Sequence, residues 1–284
     1  MTYSIKSNCL TATFNTKGAE LTSLKNNNNK EYIWEANPQY WGKHSPVLFP
    51  IVGVLKNNSY TYNGKTYTLS RHGFARDKVF SVKEQHDDTI TFVLAADEAT
   101  KENYPFNFEL QIKYTLAATT LCIDYIVSNK GATTMPFSIG GHPAFALPNN
   151  FKDYSLQFEK QEDLVSTQLQ NELLSGIKTP ISLKDSILPL NYNLFKNDAL
   201  IFKQLQSETI TILEENKPFL KVAFSDFPHL GIWTKPNYPF LCIEPWQGYA
   251  DSVNSNGKFI EKEGSIVLAE KATIQKGFSI EILN

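Results

Sequence analysis

The sequence has no surplus of basic residues: 27 Lys and Arg stand against 29 Asp and Glu, for a formal charge of −2. Proteins that hold nucleic acid carry a basic face or stripe, so no nucleic-acid partner is expected. Nor is there a run of the roughly 18 apolar residues that a membrane-spanning helix needs. The most apolar stretch, Val47 to Leu55, is broken by Pro50 and Gly53, and the first residues lack the basic-then-apolar order of a secretory signal. No membrane partner is expected, and the chain reads as cytoplasmic. Cysteine is scarce and scattered, at Cys9, Cys122 and Cys242, which implies neither a disulfide framework nor a C-x-x-C zinc knuckle. Also missing are G-x-G-x-x-G after a strand, a P-loop, H-E-x-x-H and G-x-S-x-G. These absences remove support for nucleotide cofactors, metalloprotease zinc and hydrolase elbows. No cofactor and no metal are expected, and the chemistry is left to side-chain acids and bases.

What the chain does have is strand pattern. Apolar content of 42% with 13% aromatic is enough for a large core. Alternating β-branched and aromatic residues recur, as in Tyr3–Lys6, Thr11–Phe14, Thr89–Val93, Phe108–Tyr114 and Thr209–Ile212, the signature of half-buried strands. Asn63-Gly64 between Tyr60-Thr61-Tyr62 and Thr66-Tyr67-Thr68 predicts a hairpin, because a type I′ turn needs positive φ at both central positions. Helix is rare: one short segment is expected from Asp97 as N-cap through Asn103, stopping before Pro105, while Leu164 to Leu174 fits helix or hairpin. No Pro/Gly/Ser-rich linker divides the chain. The reading is one all-β domain over residues 1–284, built of two or more packed sheets.

Three segments concentrate reactive side chains. The only two arginines, Arg71 and Arg76, flank His72 in Ser70-Arg71-His72-Gly73-Phe74-Ala75-Arg76; a guanidinium fork can grip vicinal oxygens or a carboxylate as lysine cannot. The plainer reading is a pair of surface ion pairs around a core histidine. In Gly140-Gly141-His142-Pro143 two glycines allow a tight bend beside a ligand, with the histidine at a strand end; a satisfied core histidine is the alternative. In Phe240-Leu241-Cys242-Ile243-Glu244-Pro245-Trp246 a carboxylate interrupts an apolar strand. Burial there would raise its pKa toward that of a useful base, unless a lysine neutralises it. Trp233 and Trp246 lie close in sequence to this acid, and aromatic faces suit the C–H faces of pyranoses. His86 and His229 belong to no motif and are expected to tolerate substitution.

These segments, with Trp41-Gly42-Lys43-His44-Ser45-Pro46-Val47-Leu48-Phe49-Pro50 before them and Gly248-Tyr249-Ala250-Asp251 after, resemble the aldose 1-epimerase (galactose mutarotase-like) family in the family's own order. The string His72-Gly73-Phe74-Ala75-Arg76 looks more like the divergent bacterial branch, which includes hexose-6-phosphate mutarotase-like members. The resemblance implies a β-supersandwich and an isomerase of carbohydrate metabolism that interconverts the anomers of a free hexose without a cofactor. It further implies Glu244 as base, His142 as acid at the ring oxygen and His72 as a second imidazole. Arg71, Arg76, Asp198 and Trp233 would bind the sugar, with Asp226 a rival to Asp198. A phosphorylated hexose as substrate, a glycoside hydrolase using two carboxylates, or a non-catalytic sugar-binding protein are the alternatives. Monomer and homodimer are both open.

Overall fold

The computed structural model describes residues 1–283 and is all-β, a sandwich of two large sheets with smaller ones around them. A nine-stranded antiparallel sheet runs, edge to edge, through Ile187–Pro189, Tyr154–Phe158, Thr209–Glu214, Lys217–Ala223, Thr273–Ile282, Thr120–Asn129, Phe108–Ala117, Thr89–Ala95 and Ser81–Gln85. A second, six-stranded sheet has the path Leu200–Phe202, His229–Trp233, Phe240–Gln247, Ile139–Gly141, Val47–Leu48, and Ala144–Ala146 also pairs with Phe240–Gln247. Apolar side chains of both sheets join one continuous core, in which Ile112, Leu121, Ile212 and Leu220 of the larger sheet meet Leu230, Ile232, Leu241 and Ile243 of the smaller.

Local sequence explains the smaller elements. Asn63 and Gly64 take φ of 47° and 74° and close the hairpin of Ser59–Tyr62 with Lys65–Thr68, as the turn chemistry requires. The single α-helix among the described residues, Glu98–Asn103, starts at Asp97, whose side chain accepts from the Thr100 N–H while the Thr100 hydroxyl accepts from the Asp97 N–H. This reciprocal capping box satisfies donors that a helix start leaves open. Leu164–Leu174 resolves as a hairpin, Leu164–Gln170 against Leu173–Ile181, because Asn171 and Glu172 both adopt positive φ at its tip. No helix among the described residues is long and apolar enough to cross a membrane.

The strand Phe240–Gln247 is the pivot of the smaller sheet. Its side chains alternate: Leu241 and Ile243 enter the main core, whereas Cys242 and Trp246 belong to separate clusters on the other side. Glu244 shares that second face.

Candidate active site

His142 meets Glu244 through an interruption in pairing. Ile139 and Gly140 pair with Gln247 and Trp246, and Ala144 and Phe145 pair with Cys242 and Leu241, all on the same partner strand. His142 and Pro143 fall between these ladders, opposite the stretch that holds Glu244. The His142 amide is tied instead to the Pro46 carbonyl at 3.1 Å, and its Nε2 lies 3.3 Å from Glu244 Oε2. Trp41 stacks on the imidazole at 4.9 Å between ring centroids, and Trp233 and His72 meet it edge-on at 5.8 Å.

Two glycines make room for the floor. A Cβ on Gly231 would stand 2.4 Å from Trp246 Cη2, and one on Gly140 would stand 2.7 Å from Trp246 Cδ1. Both neighbouring strands must therefore be bare where the Trp246 ring crosses them. His72 is fixed by its backbone: at φ 66° it sits in the left-handed region. Its N–H donates to the Gly53 carbonyl at 2.7 Å, and its Nδ1 accepts from the Gly53 N–H at 3.1 Å. An Nδ1 that accepts carries no proton, so the neutral ring bears its hydrogen on Nε2.

All seven residues singled out in the sequence, Arg71, His72, Arg76, His142, Asp198, Trp233 and Glu244, line one cleft. Trp41, Lys43, Leu169, Glu172 and Trp246 complete much of its wall. Asp226 is elsewhere, its carboxylate accepting from the Gly277 N–H at 2.8 Å, and Lys235 lies outside the lining, its Nζ 5.9 Å from the Trp233 ring. His229, expected to tolerate substitution, lies outside the cleft lining; it is buried, and its Nδ1 accepts from the Gly248 N–H at 3.1 Å. His86 is exposed and pairs with Glu84. Glu172 and Leu169 escaped the sequence reading, since they reach the cleft from the tip of the 164–181 hairpin and carry no motif.

The electrostatics divide into a dry interior and a charged mouth. Glu244 is 1% exposed, and burial pushes its carboxyl well above the usual range; the Asp198 charge adds to the rise, while the Trp246 indole N–H opposes it. Burial lowers His142 to about 3, helped by the nearby charges of Arg76, Arg71 and Lys43. His72 is lowered well below an ordinary imidazole by burial, then by His142 and the same three cations. Burial thus disfavours the charged form of both members of the His142–Glu244 pair. At the mouth Arg71 pairs with Glu172, Lys43 lies 3.8 Å from Asp77, and Arg76 Nη2 donates to the Arg71 carbonyl at 2.7 Å. Lys43, Arg71 and Arg76 line the cleft with the carboxylates of Glu172 and Asp198, while Asp77, 3.7 Å from Arg76 Nε, lies outside the lining.

An aldose 1-epimerase family profile matches residues 1–267. The protein LacX of Lactococcus lactis subsp. lactis is 34% identical over 301 residues, covering 100% of both chains. An Escherichia coli (strain K12) protein provisionally named glucose-6-phosphate 1-epimerase is 25% identical, over 93% of this chain and 87% of that one. Among solved structures, a galactose mutarotase related enzyme from Lactobacillus acidophilus superposes with a TM-score of 0.95 at 37% identity, covering 100% of this chain and 98% of that one. The profile spans nearly the whole chain and the LacX relative covers all of it; this chain belongs to the aldose 1-epimerase family.

Proposed function

We propose that the protein interconverts the α and β anomers of a free hexose, with Glu244 and His142 as the acid–base pair. The observation that carries this reading is their 3.3 Å contact in a buried site. Ring opening takes one proton from the anomeric hydroxyl and gives one to the ring oxygen, so a pair that holds a single proton before and after is the required inventory. Moving that proton from Glu244 to His142 creates the carboxylate base and the imidazolium acid together. Glu244 then removes the anomeric proton while His142 protonates the ring oxygen, and the C1–O5 bond opens. Rotation about C1–C2 presents the other face of the aldehyde, and reclosure returns both protons. His72 offers its Nε2–H to a sugar oxygen, Trp233 and Trp41 face the C–H surface of the ring, and Asp198 accepts from a hydroxyl. A hydrolase would use Glu244 with a second carboxylate across the scissile bond, for which Asp198 is the candidate in the cleft; the acid–base reading is favoured because the group in contact with Glu244 is an imidazole.

A neutral hexose is favoured because Arg71 and Lys43 already have carboxylate partners in Glu172 and Asp77, and an arginine beside a sugar-binding histidine needs no phosphate to explain it. The second reading, a hexose 6-phosphate, draws on Arg76, whose buried Nε has no hydrogen-bond partner, and on the name of the Escherichia coli relative. Exchange NMR between anomers, run over free hexoses and their 6-phosphates at low and high salt, separates the two. Catalysed exchange of glucose or galactose that salt leaves unchanged is expected. A large preference for phosphates that shrinks with salt, and collapses in Arg71→Lys or Arg76→Lys, would replace the substrate and keep the mechanism. No exchange with any sugar, or release of reducing sugar from an oligosaccharide, would overturn the reading.

A further inference from the structure

We propose that His142, Cys242 and Glu244 form a binding site for a borderline-soft divalent cation, Zn²⁺ above all, and that its occupancy blocks the acid–base pair. Cys242 precedes Glu244 by two residues on one strand and shares its face, while Ala144, opposite Cys242 in register, brings His142 to the same place. One donor atom from each of the three, a ring nitrogen, Sγ and a carboxylate oxygen, lies within 4.8 Å of the others, and all three residues are buried. Two donors at tetrahedral angles and about 2.05 Å from a zinc ion stand roughly 3.3 Å apart, the separation found between His142 Nε2 and Glu244 Oε2.

A second observation is independent of spacing. Among the described residues, Glu244 Oε2, the oxygen that faces His142 Nε2, is a buried side-chain atom without a hydrogen-bond partner, on a residue only 1% exposed. Native interiors rarely leave such atoms unsatisfied. A mixed nitrogen, sulfur and oxygen set selects zinc-like ions over Mg²⁺ or Ca²⁺, which take oxygen ligands. Cys242 itself packs beside Trp34, Ala144 and Phe240, behind the cleft wall, so the anomer chemistry does not need its thiol. On binding, the thiol releases its proton to solvent and becomes the thiolate ligand, together with any proton the pair shares; no oxidation state changes. The fourth position opens to the cleft, and the ion takes the lone pairs that proton exchange requires. The blocking half of the proposal rests on the anomer-exchange reading; the binding half does not.

The test uses the full chain with Cys9→Ser and Cys122→Ser, which removes the other thiols, and His86→Asn, which removes an exposed imidazole–carboxylate pair. Calorimetric titration with Zn²⁺ after chelation is expected to give one ion per chain, and Co²⁺ to give a near-ultraviolet thiolate-to-cobalt band. Adding Cys242→Ser should abolish the band and weaken Zn²⁺ by about 100-fold or more, while exchange in the presence of chelator persists. Cys242→Ala serves if the serine variant fails to fold, and His142→Asn, which keeps the thiol, should also weaken Zn²⁺. Unchanged Zn²⁺ affinity in these variants, or no cobalt band in the starting protein, overturns the site. Zn²⁺ bound at Cys242 without loss of exchange overturns the block. If metal-free protein exchanges no sugar, the functional reading fails while the band and stoichiometry still decide the site.

Discussion

Replacing Glu244 by Gln preserves shape and removes the only carboxylate that touches His142. The residue is 1% exposed and lines the cleft, so water reaches it only from the substrate side. General base catalysis contributes about 10²- to 10⁴-fold, equivalent to roughly 3 to 5 kcal/mol of barrier. Catalysed exchange is therefore expected to fall at least about 100-fold. Folding should survive, because burial favours the neutral carboxyl over the charged one and the amide is neutral as well; the melting temperature should move by only a few degrees, as a change of about 1 kcal/mol does in a chain of this size. Polarimetry on freshly dissolved α-glucose measures the rate after subtraction of the spontaneous reaction, with circular dichroism as the folding control. A Gln variant that keeps most of the wild-type rate would show that Glu244 is not the base.

Other outcomes follow from the same geometry. Burial lowers His142 to about 3 and raises the Glu244 carboxyl; an NMR titration should therefore find the His142 ring neutral through ~6.5, the free imidazole value, and a ring that protonates there would refute the buried neutral imidazole. His142→Asn should depress exchange with folding intact, whereas exposed His86→Asn should change neither activity nor melting temperature; equal losses at both would indicate general destabilisation. His229 is held at about 4 by burial, below the ~6.5 of an unfolded chain, so the unfolded state takes up a proton that the folded state refuses. Its stabilisation is full above the unfolded value and declines as pH falls toward 4, by about 2 kcal/mol at pH 5; denaturant titrations should show a smaller loss between pH 7 and pH 5 in His229→Gln, and an equal loss would reject the assignment. Asp97→Ala removes the capping box and should cost about 1 kcal/mol, read as a melting temperature lower by about 2 °C; no shift would mean that the cap is redundant.

Features written in neighbouring residues were legible in the sequence. Asn63-Gly64 dictates its own turn, and Asp97 with Thr100 dictates a helix start, because both depend on contacts within four positions. Glu244 was legible for a different reason: a lone carboxylate in an apolar strand is costly unless it works. The 164–181 hairpin was not legible, since Leu164, Leu169, Leu173 and Leu174 fit both a helical and an alternating period. Its tip residue Glu172 joins the site only through Arg71, 101 positions away, and no local pattern encodes that encounter. The burial of His229 was not legible for a related reason: it is set by the strands and the Tyr249 ring packed around it.

The bridge between Arg71 and Glu172 crosses the mouth with both side chains substantially exposed, at 44% and 57%. Exposed pairs of this kind contribute about 1 kcal/mol or less, so on the order of one molecule in six or more has the bridge open at any instant. Side-chain motions of that kind take nanoseconds or less, far faster than turnover. The bridge is therefore a fast equilibrium and not a gate: any molecule that enters the cleft meets the open state within nanoseconds.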